Sequence, residues 1–219
     1  MSQSCAALTT PDTMWSFCPS LGASIVFLIL FAITLVAHIY QAIIYRKAYS
    51  WVIIMSALWQ FLTYVFRTIS ILAPASFGAY AAWFVLILIA PLWTNAYVYM
   101  VFGRMVWNFT TEHKVGGIRA SWFGFIFVIL DVVALLVQIY GAASATGNHK
   151  PQQEVLNALH IYMAGVGIQQ CFIFVFSGFA VMLFLAIRRE QVGHQKSNAL
   201  LLLYAAFAAL AFITVWLLI

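Results

Sequence analysis

The chain alternates between long apolar runs and short polar segments from residue 21 onward. The apolar runs fall at residues 21–44, 51–72, 80–102, 121–140, 160–187 and 199–219. A helix needs roughly 20 apolar residues to cross the hydrocarbon core of a bilayer, and each run is about that long or longer. The pattern therefore predicts an all-α fold, a polytopic transmembrane helical bundle with six spans, preceded by a separate segment at residues 1–20.

The composition indicates the same class of protein. Hydrophobic residues make up 65% of the chain and charged residues 7%, against about 45–50% and 25% in typical soluble domains. Residues 1–20 contain no Lys or Arg, so the first run is expected to be a retained span and not a cleaved secretory signal. The net charge of +5 is spread over short loops, without the basic cluster that suits nucleic acid. The membrane is therefore an expected partner, nucleic acid is not, and protein partners stay unknown.

The basic residues outside the apolar runs predict the orientation of the chain. Eight of the nine lie in the first, third and fifth loops, and Lys150 lies on the other side. The eight are Arg46, Lys47, Arg104, Lys114, Arg119, Arg188, Arg189 and Lys196. Because cytosolic loops carry the excess of Lys and Arg, the N-terminus is predicted to lie outside, in an extracellular or lumenal compartment. Six spans would place Ile219 outside as well, without a polar tail, so we expect a truncated chain.

The cysteines leave two alternatives open. Cys5 and Cys18 fall in the N-terminal segment, and Cys171 falls in the fifth run. An oxidising compartment would permit a disulfide between the first two cysteines. Two unpaired thiols are the alternative.

Polar side chains inside the second and fourth runs form the candidate site. Gln60, Tyr64 and Arg67 are spaced four and three residues apart, which places them on one helical face. Asp131 and Gln138 are seven residues apart in the fourth run and also share a face. A charge at membrane depth costs at least about 2.5 kcal/mol, so it normally has a partner or faces a wet cavity. We expect a shared cavity in which Arg67 balances Asp131, and the alternative is an ion pair that only holds the helices together.

Other polar or small residues lie within the runs, and each has either a functional or a structural interpretation. His38 is a candidate proton carrier or a histidine at a helix contact. Asn95 and the pair Gln169–Gln170 belong either to a polar path or to hydrogen bonds between helices. Gly165 and Gly167 are expected to permit close packing of the fifth run against a neighbouring helix.

Several catalytic classes lack their motifs in this sequence. There is no Gly-rich loop ending in Gly-Lys-Ser/Thr for a nucleotide, and no His-Glu-x-x-His for zinc. Asp131 is the only acid inside a run, whereas intramembrane aspartyl chemistry needs two carboxylates that share a proton. His38 and His160 lie too far apart along the predicted spans to share a metal ion. We therefore expect no catalytic residue, no cofactor and no metal, and a protein that is not an enzyme.

Four stretches of the sequence carry a family resemblance. The first, in the second run, is Gln60-Phe-Leu-Thr63-Tyr64-Val-Phe-Arg67. The second, in the third run, is Ala90-Pro91 followed by Tyr99-Met100 and Gly103-Arg104. The third is Phe127-Val128 followed by Asp131-Val132, Gln138 and Gly141, and the fourth is Gly165 followed by Gln169 or Gln170. Their order and spacing resemble the fungal lipid-translocating exporter family, the RTA-like proteins associated with aminocholesterol resistance. Two positions depart from the family pattern, Gln60 where the family has Glu and Thr63 where it has Gly.

The resemblance implies an RTA-like transmembrane domain over residues 21–219, with six of an expected seven spans and the N-terminus outside. It implies transport of sphingoid long-chain bases, or of other amphipathic lipids and toxic compounds, across or out of the plasma membrane or an endomembrane. Arg67 and Asp131 would then recognise opposite charges on a lipid headgroup. The residues expected to supply hydrogen bonds are Tyr64, Tyr99 and Gln138. The alternative is a seven-helix lipid sensor that binds its ligand without moving it.

Overall fold

Helices make up most of the chain in the computed structural model, which describes residues 6–47, 49–145 and 151–189. The helices are α1 (Ala6–Thr9), α2 (Leu21–Tyr45), α3 (Ser50–Leu72), α4 (Phe77–Phe109), α5 (Ala120–Ala145) and α6 (Gln152–Arg189). Two short strands, β1 (Lys114–Val115) and β2 (Ile118–Arg119), pair as an antiparallel hairpin between α4 and α5.

Five of these helices, α2 to α6, are long and apolar enough to cross a membrane. They coincide with the first five apolar runs, which confirms the prediction of an all-α, multi-pass membrane protein. The sixth predicted span, residues 199–219, lies outside the described residues. The side of the membrane on which the N-terminus lies stays a prediction, and so does the division into an N-terminal segment and one RTA-like domain.

Two helices, α4 and α6, extend by seven and eight residues beyond one end of the runs that predict them. α4 continues to Phe109, whereas its run ends at residue 102, so the exposed Arg104 lies on the helix and not in a loop. α6 begins at Gln152, whereas its run begins at residue 160. Hydropathy marks the part of a helix that lies in hydrocarbon, but backbone hydrogen bonds continue into polar flanks. Glu154, in the first turn of α6, has the charge that stabilises a helix N-terminus.

The hairpin between α4 and α5 is a feature that the all-α prediction omits. Gly116 and Gly117 form its turn, with φ angles of 56° and 82°. Positive φ at both residues of a two-residue turn matches the twist of the flanking strands, and Gly adopts such angles without strain. Strands of two residues are too short to show an alternating pattern, so the Gly-Gly pair is their main sequence signal.

The contacts divide the chain into two compact units, Met1–Tyr97 and Val98–Ile219. In the first unit α2 lies along α3, where the hydroxyl oxygens of Ser24 and Thr68 are 3.0 Å apart. Ser24 is the buried residue of α2, and most of the apolar side chains of this helix are exposed, as in a helix that faces lipid. A hydrogen bond of 2.6 Å between the hydroxyls of Ser56 and Thr94 joins α3 to α4.

An aromatic core fills the second unit. Its rings come from the C-terminal part of α4 (Tyr99, Phe102), from α5 (Phe123, Phe127) and from α6 (Phe176), and none is more than 3% exposed. Phe176 meets Tyr99 and Phe102 edge to face, with ring centroids 4.5 Å and 4.9 Å away. Such pairs contribute about 0.5–1.5 kcal/mol each beyond the area that they bury. The core therefore holds these three helix segments together at the point where the Tyr99 hydroxyl donates to Asp131.

Two glycines bring α5 and α6 into backbone contact. A Cβ at Gly141 would meet the Tyr162 nitrogen and lie 2.8 Å from its Cα, and a Cβ at Gly165 would lie 3.0 Å from the Gln138 nitrogen. Small residues permit this kind of close approach between membrane helices. The prediction of close packing is confirmed for Gly165. At Gly167 a Cβ would meet nothing within 4 Å among the described residues, so close packing there stays a prediction.

Substituting Gly141 by Ala should destabilise the protein, because the new Cβ would push the α6 backbone away at Tyr162. We expect the free energy of unfolding to fall by about 1–3 kcal/mol, the usual cost of overpacking. The matched control is Gly167→Ala, whose Cβ would meet no atom of the described residues within 4 Å. This change should cost nothing, since Ala is the better helix former. Denaturant unfolding of the purified protein in detergent measures both variants, and equal stability would contradict the backbone contact.

Candidate functional site

Arg67 lies over two tryptophan rings in the C-terminal part of α3. Its Cζ atom is 5.4 Å from the ring centroid of Trp15 and 4.8 Å from that of Trp83. Tyr80 meets both tryptophans edge to face, at centroid distances of 5.2 Å and 5.3 Å. A guanidinium over an aromatic face gains about 0.5–2 kcal/mol, and the larger value applies where water is excluded. The rings therefore offset part of the cost of holding this charge within a span.

Trp15 reaches Arg67 from the segment that precedes α2. It is 3% exposed, and its Nε1 donates a hydrogen bond to the Ser70 carbonyl at 3.1 Å. The Met14 amide donates to the Pro74 carbonyl at 3.0 Å, just beyond the end of α3. The sequence does not predict this contact, because the segment shows no helical periodicity. Its only signal is the aromatic residues, Trp15 and Phe17, in a short and mostly polar stretch.

The other two members of the polar row on α3 have different surroundings. The ring of Tyr64 stacks on Phe27 and Phe31 of α2, with centroids 5.2 Å and 5.4 Å away. Gln60 is half-buried one turn earlier. The residues of the predicted row therefore make two different contacts. Tyr64 contacts α2, whereas Arg67 contacts the N-terminal segment and α4.

The second unit contains a fully buried carboxylate. Asp131 on α5 is 0% exposed, and its Oδ2 accepts a hydrogen bond from the Tyr99 hydroxyl at 3.0 Å. The rings of Phe127 and Phe176 pack against that of Tyr99, with centroids 5.3 Å and 4.5 Å away. A hydrogen bond to an ionised acceptor is roughly twice as strong as one between neutral groups. We call these four residues the acid–aromatic site.

Three glutamines, Gln138, Gln169 and Gln170, form a second polar group in this unit. Gln138 lies on the same buried face of α5 as Asp131, about 10 Å further along the helix. Its Nε2 donates to the Oε1 of Gln169 on α6 at 2.9 Å. Gln170 is 8% exposed, and its Nε2 has no hydrogen-bond partner within the part of the chain that the structure describes. The second unit thus holds a buried carboxylate and, on Gln170, a buried amide donor with no hydrogen-bond partner among the described residues.

The remaining candidates lie in the first unit. His38 is half-buried, and its Nδ1 is 3.3 Å from the Oε1 of Gln41 on the same helix. Asn95 is 4% exposed on α4. Since Arg67 belongs to the first unit and Asp131 to the second, the expected balance between these two charges stays a prediction.

The described cysteines differ in their chemical state. Cys18 is disulfide-bonded, whereas Cys171 is a free and exposed thiol. Cys5, the other half of the predicted pair, lies outside the described residues. Within the described ranges, no group of three His, Cys, Asp or Glu side chains could hold a metal ion.

Five apolar helices with polar side chains buried among them define a multi-pass membrane protein with polar sites at membrane depth. The profile of the family described as RTA1 like protein matches residues 53–218. The chain therefore belongs to the RTA1-like family, which confirms the resemblance carried by its motifs.

Two curated relatives have names that describe transport. The chain is 36% identical to the probable lipid transporter atnI of Emericella nidulans, over 90% of this chain and 54% of that protein. It is 23% identical to the sphingoid long-chain base transporter RSB1 of Saccharomyces cerevisiae, over 90% of this chain and 52% of that protein. The chain thus spans about half the length of the curated relatives it matches. No solved structure matches it significantly.

Replacing Tyr99 by Phe should destabilise the protein, because the ring stays while the hydroxyl that donates to Asp131 is lost. The expected cost is about 1–3 kcal/mol in the free energy of unfolding, as for a lost hydrogen bond to a buried charged group. Tyr140→Phe removes an exposed hydroxyl from α5 and should change stability by less than about 0.5 kcal/mol. Unfolding followed by tryptophan fluorescence compares the two variants. A Tyr99→Phe protein as stable as the control would contradict a stabilising role for this bond.

Proposed function

We propose that this protein moves amphipathic lipids that carry an amine, sphingoid long-chain bases in particular, across or out of the membrane. The names of the two relatives support this class of function. The observation that carries the proposal is the acid–aromatic site, where Asp131 is 0% exposed within a span. Carboxylates at membrane depth are costly, and they commonly mark the path of a substrate or an ion.

The acid–aromatic site has the chemistry of an ammonium receptor. A carboxylate binds an ammonium through charge-assisted hydrogen bonds, and aromatic faces attract the same cation. Asp131 supplies the carboxylate, and the surrounding rings are those of Tyr99, Phe127 and Phe176. The headgroup of a long-chain base is an amine flanked by hydroxyls, and the amide of Gln170 offers a donor for such a hydroxyl.

Arg67 has a separate role in this proposal, because its positive charge would repel an amine. A guanidinium suits phosphate or carboxylate groups, which it binds through a planar set of donors. We therefore assign the preference for amines to Asp131, and the attraction of anionic parts of a headgroup to Arg67. Tyr64 and Gln60 on the same helix are the candidates for hydrogen bonds on that side.

We place the N-terminus on the outer side of the plasma membrane or in the lumen of an endomembrane. Arg46 and Lys47 follow α2, and Lys114 and Arg119 lie in the hairpin after α4, as expected for cytosolic loops. The disulfide at Cys18 suits an oxidising compartment on the opposite side. The proposal includes no catalytic step and no bound cofactor.

Export of a labelled long-chain base from cells tests the proposal. Cells that express the chain should release more label than cells without it, and Asp131→Asn should reduce this gain at least about tenfold, because a hydrogen bond to a charged group contributes about 1.5–3 kcal/mol. Glu154→Gln is the matched control, since it makes the same change at an exposed position in the first turn of α6. All variants are compared at equal amounts in the membrane.

The outcomes separate the alternatives. Full export by Asp131→Asn would contradict amine recognition at the acid–aromatic site. Binding of the labelled base without export would favour a lipid sensor, and neither binding nor export by a correctly inserted chain would contradict both functions. Arg67→Gln distinguishes the roles of the two charged residues, because it should reduce export of the amine less than Asp131→Asn does. Arg119→Gln, an exposed change in the hairpin, is its control.

A further inference from the structure

A pocket lies in the first unit where α2 ends and α3 begins. It has a volume of about 230 Å³ and includes residues from both helices and the turn between them. Ile53 in its wall precedes Arg67 on α3 by fourteen residues, which corresponds to about 21 Å along the helix. The pocket is therefore distinct from the aromatic cluster around Arg67 and lies at the other end of the same helix.

The wall of the pocket has the chemistry of an anion site. Among the described residues that line it, Lys47 has a full positive charge and none is Asp or Glu. Its hydrogen-bonding side chains are those of His38, Gln41, Tyr45, Tyr49, Ser50 and Tyr97. Arg46, which ends α2 in a left-handed conformation with φ 48°, adds a second exposed cation directly beside Lys47. Several donors around a cation, without a competing carboxylate, suit the multiple acceptor oxygens of a phosphate group.

The surroundings of the pocket indicate where such a phosphate would come from. The neighbouring surface of α2 is apolar and open, with Tyr40 65%, Ile43 68% and Ile44 52% exposed. Such side chains on a spanning helix face acyl chains, and the tyrosines at the helix ends are typical of the membrane interface. An exposed apolar surface beside a polar pocket at a helix end is the arrangement expected for a site between lipid tails and headgroups.

We propose that this pocket binds the phosphate group of an anionic phospholipid at the membrane interface, with Lys47 as the charged contact. The chemistry is shared with free phosphate, but a soluble ion would not make use of the apolar surface beside the pocket. Binding here requires no movement of lipid across the membrane, so this proposal does not depend on the transport function. It adds a second lipid site, of opposite charge preference to the acid–aromatic site.

Photocrosslinking tests the proposal with the full chain in nanodiscs. The discs consist of phosphatidylcholine with a small fraction of labelled, photoactivatable phosphatidic acid. We expect crosslinked peptides between residues 38 and 53, and a yield about fivefold lower for Lys47→Gln, the effect of one cation at a membrane surface. Lys114→Gln is the matched control, because it removes an exposed lysine of the hairpin. Tyr97→Phe, which keeps the ring and removes one donor from the wall, should also lower the yield.

Each remaining outcome would overturn the proposal. Equal losses in Lys47→Gln and Lys114→Gln would show unspecific attraction to a basic surface, and an unchanged yield in Lys47→Gln would exclude Lys47 as the contact. Loss of the crosslink on addition of excess inorganic phosphate, to the same extent as with excess phosphatidic acid, would identify a site for the free ion. The far-ultraviolet circular dichroism and the elution volume of each variant establish that it is folded.

Discussion

A charge held at membrane depth costs at least about 2.5 kcal/mol, and Arg67 and Asp131 meet that cost in different ways. Arg67 has a long stem near one end of its helix, so its guanidinium can rest on tryptophan rings close to the interface. Asp131 is short and lies in the middle of α5, and its carboxylate accepts a hydrogen bond from Tyr99 inside an aromatic core. The surroundings of Arg67 therefore include a segment from outside the spans, whereas those of Asp131 come from the packing of the spans themselves.

The pairing of α5 with α6 shows how packing and polarity support each other in lipid. Helices in a bilayer gain little from hydrophobic burial against each other, so close contact and hydrogen bonds have to hold them together. Gly165 lies against the backbone at Gln138, and the side chain of Gln138 bonds to Gln169. Because Gly165 has no Cβ, α6 can approach α5 closely enough for the side-chain amides of Gln138 and Gln169 to meet.

Some of this architecture follows directly from the sequence. The bilayer sets a minimum apolar length for a spanning helix, so hydropathy predicts the spans. A spacing of seven residues is enough to place Asp131 and Gln138 on one buried face. Helix ends outside the hydrocarbon and the two-residue strands have no comparable pattern. The contact of Trp15 with Arg67 joins distant parts of the chain. Whether Gln138 bonds to Gln169 or to Gln170 depends on the rotation of α6 about its axis. Only the folded structure contains that information.

The docking of Trp15 imposes an order on biosynthesis. Its distant partners are the Ser70 carbonyl and the rings of Tyr80 and Trp83, and all of them leave the ribosome long after it does. At a synthesis rate of about 5–20 residues per second, Trp15 waits roughly 3–14 seconds before its last partner exists. During this interval the segment ahead of α2 has no docking site, and chaperones or modifying enzymes can reach it. The segment around Trp15 is thus made before α3 and α4 but can dock only after residues of both helices have been made.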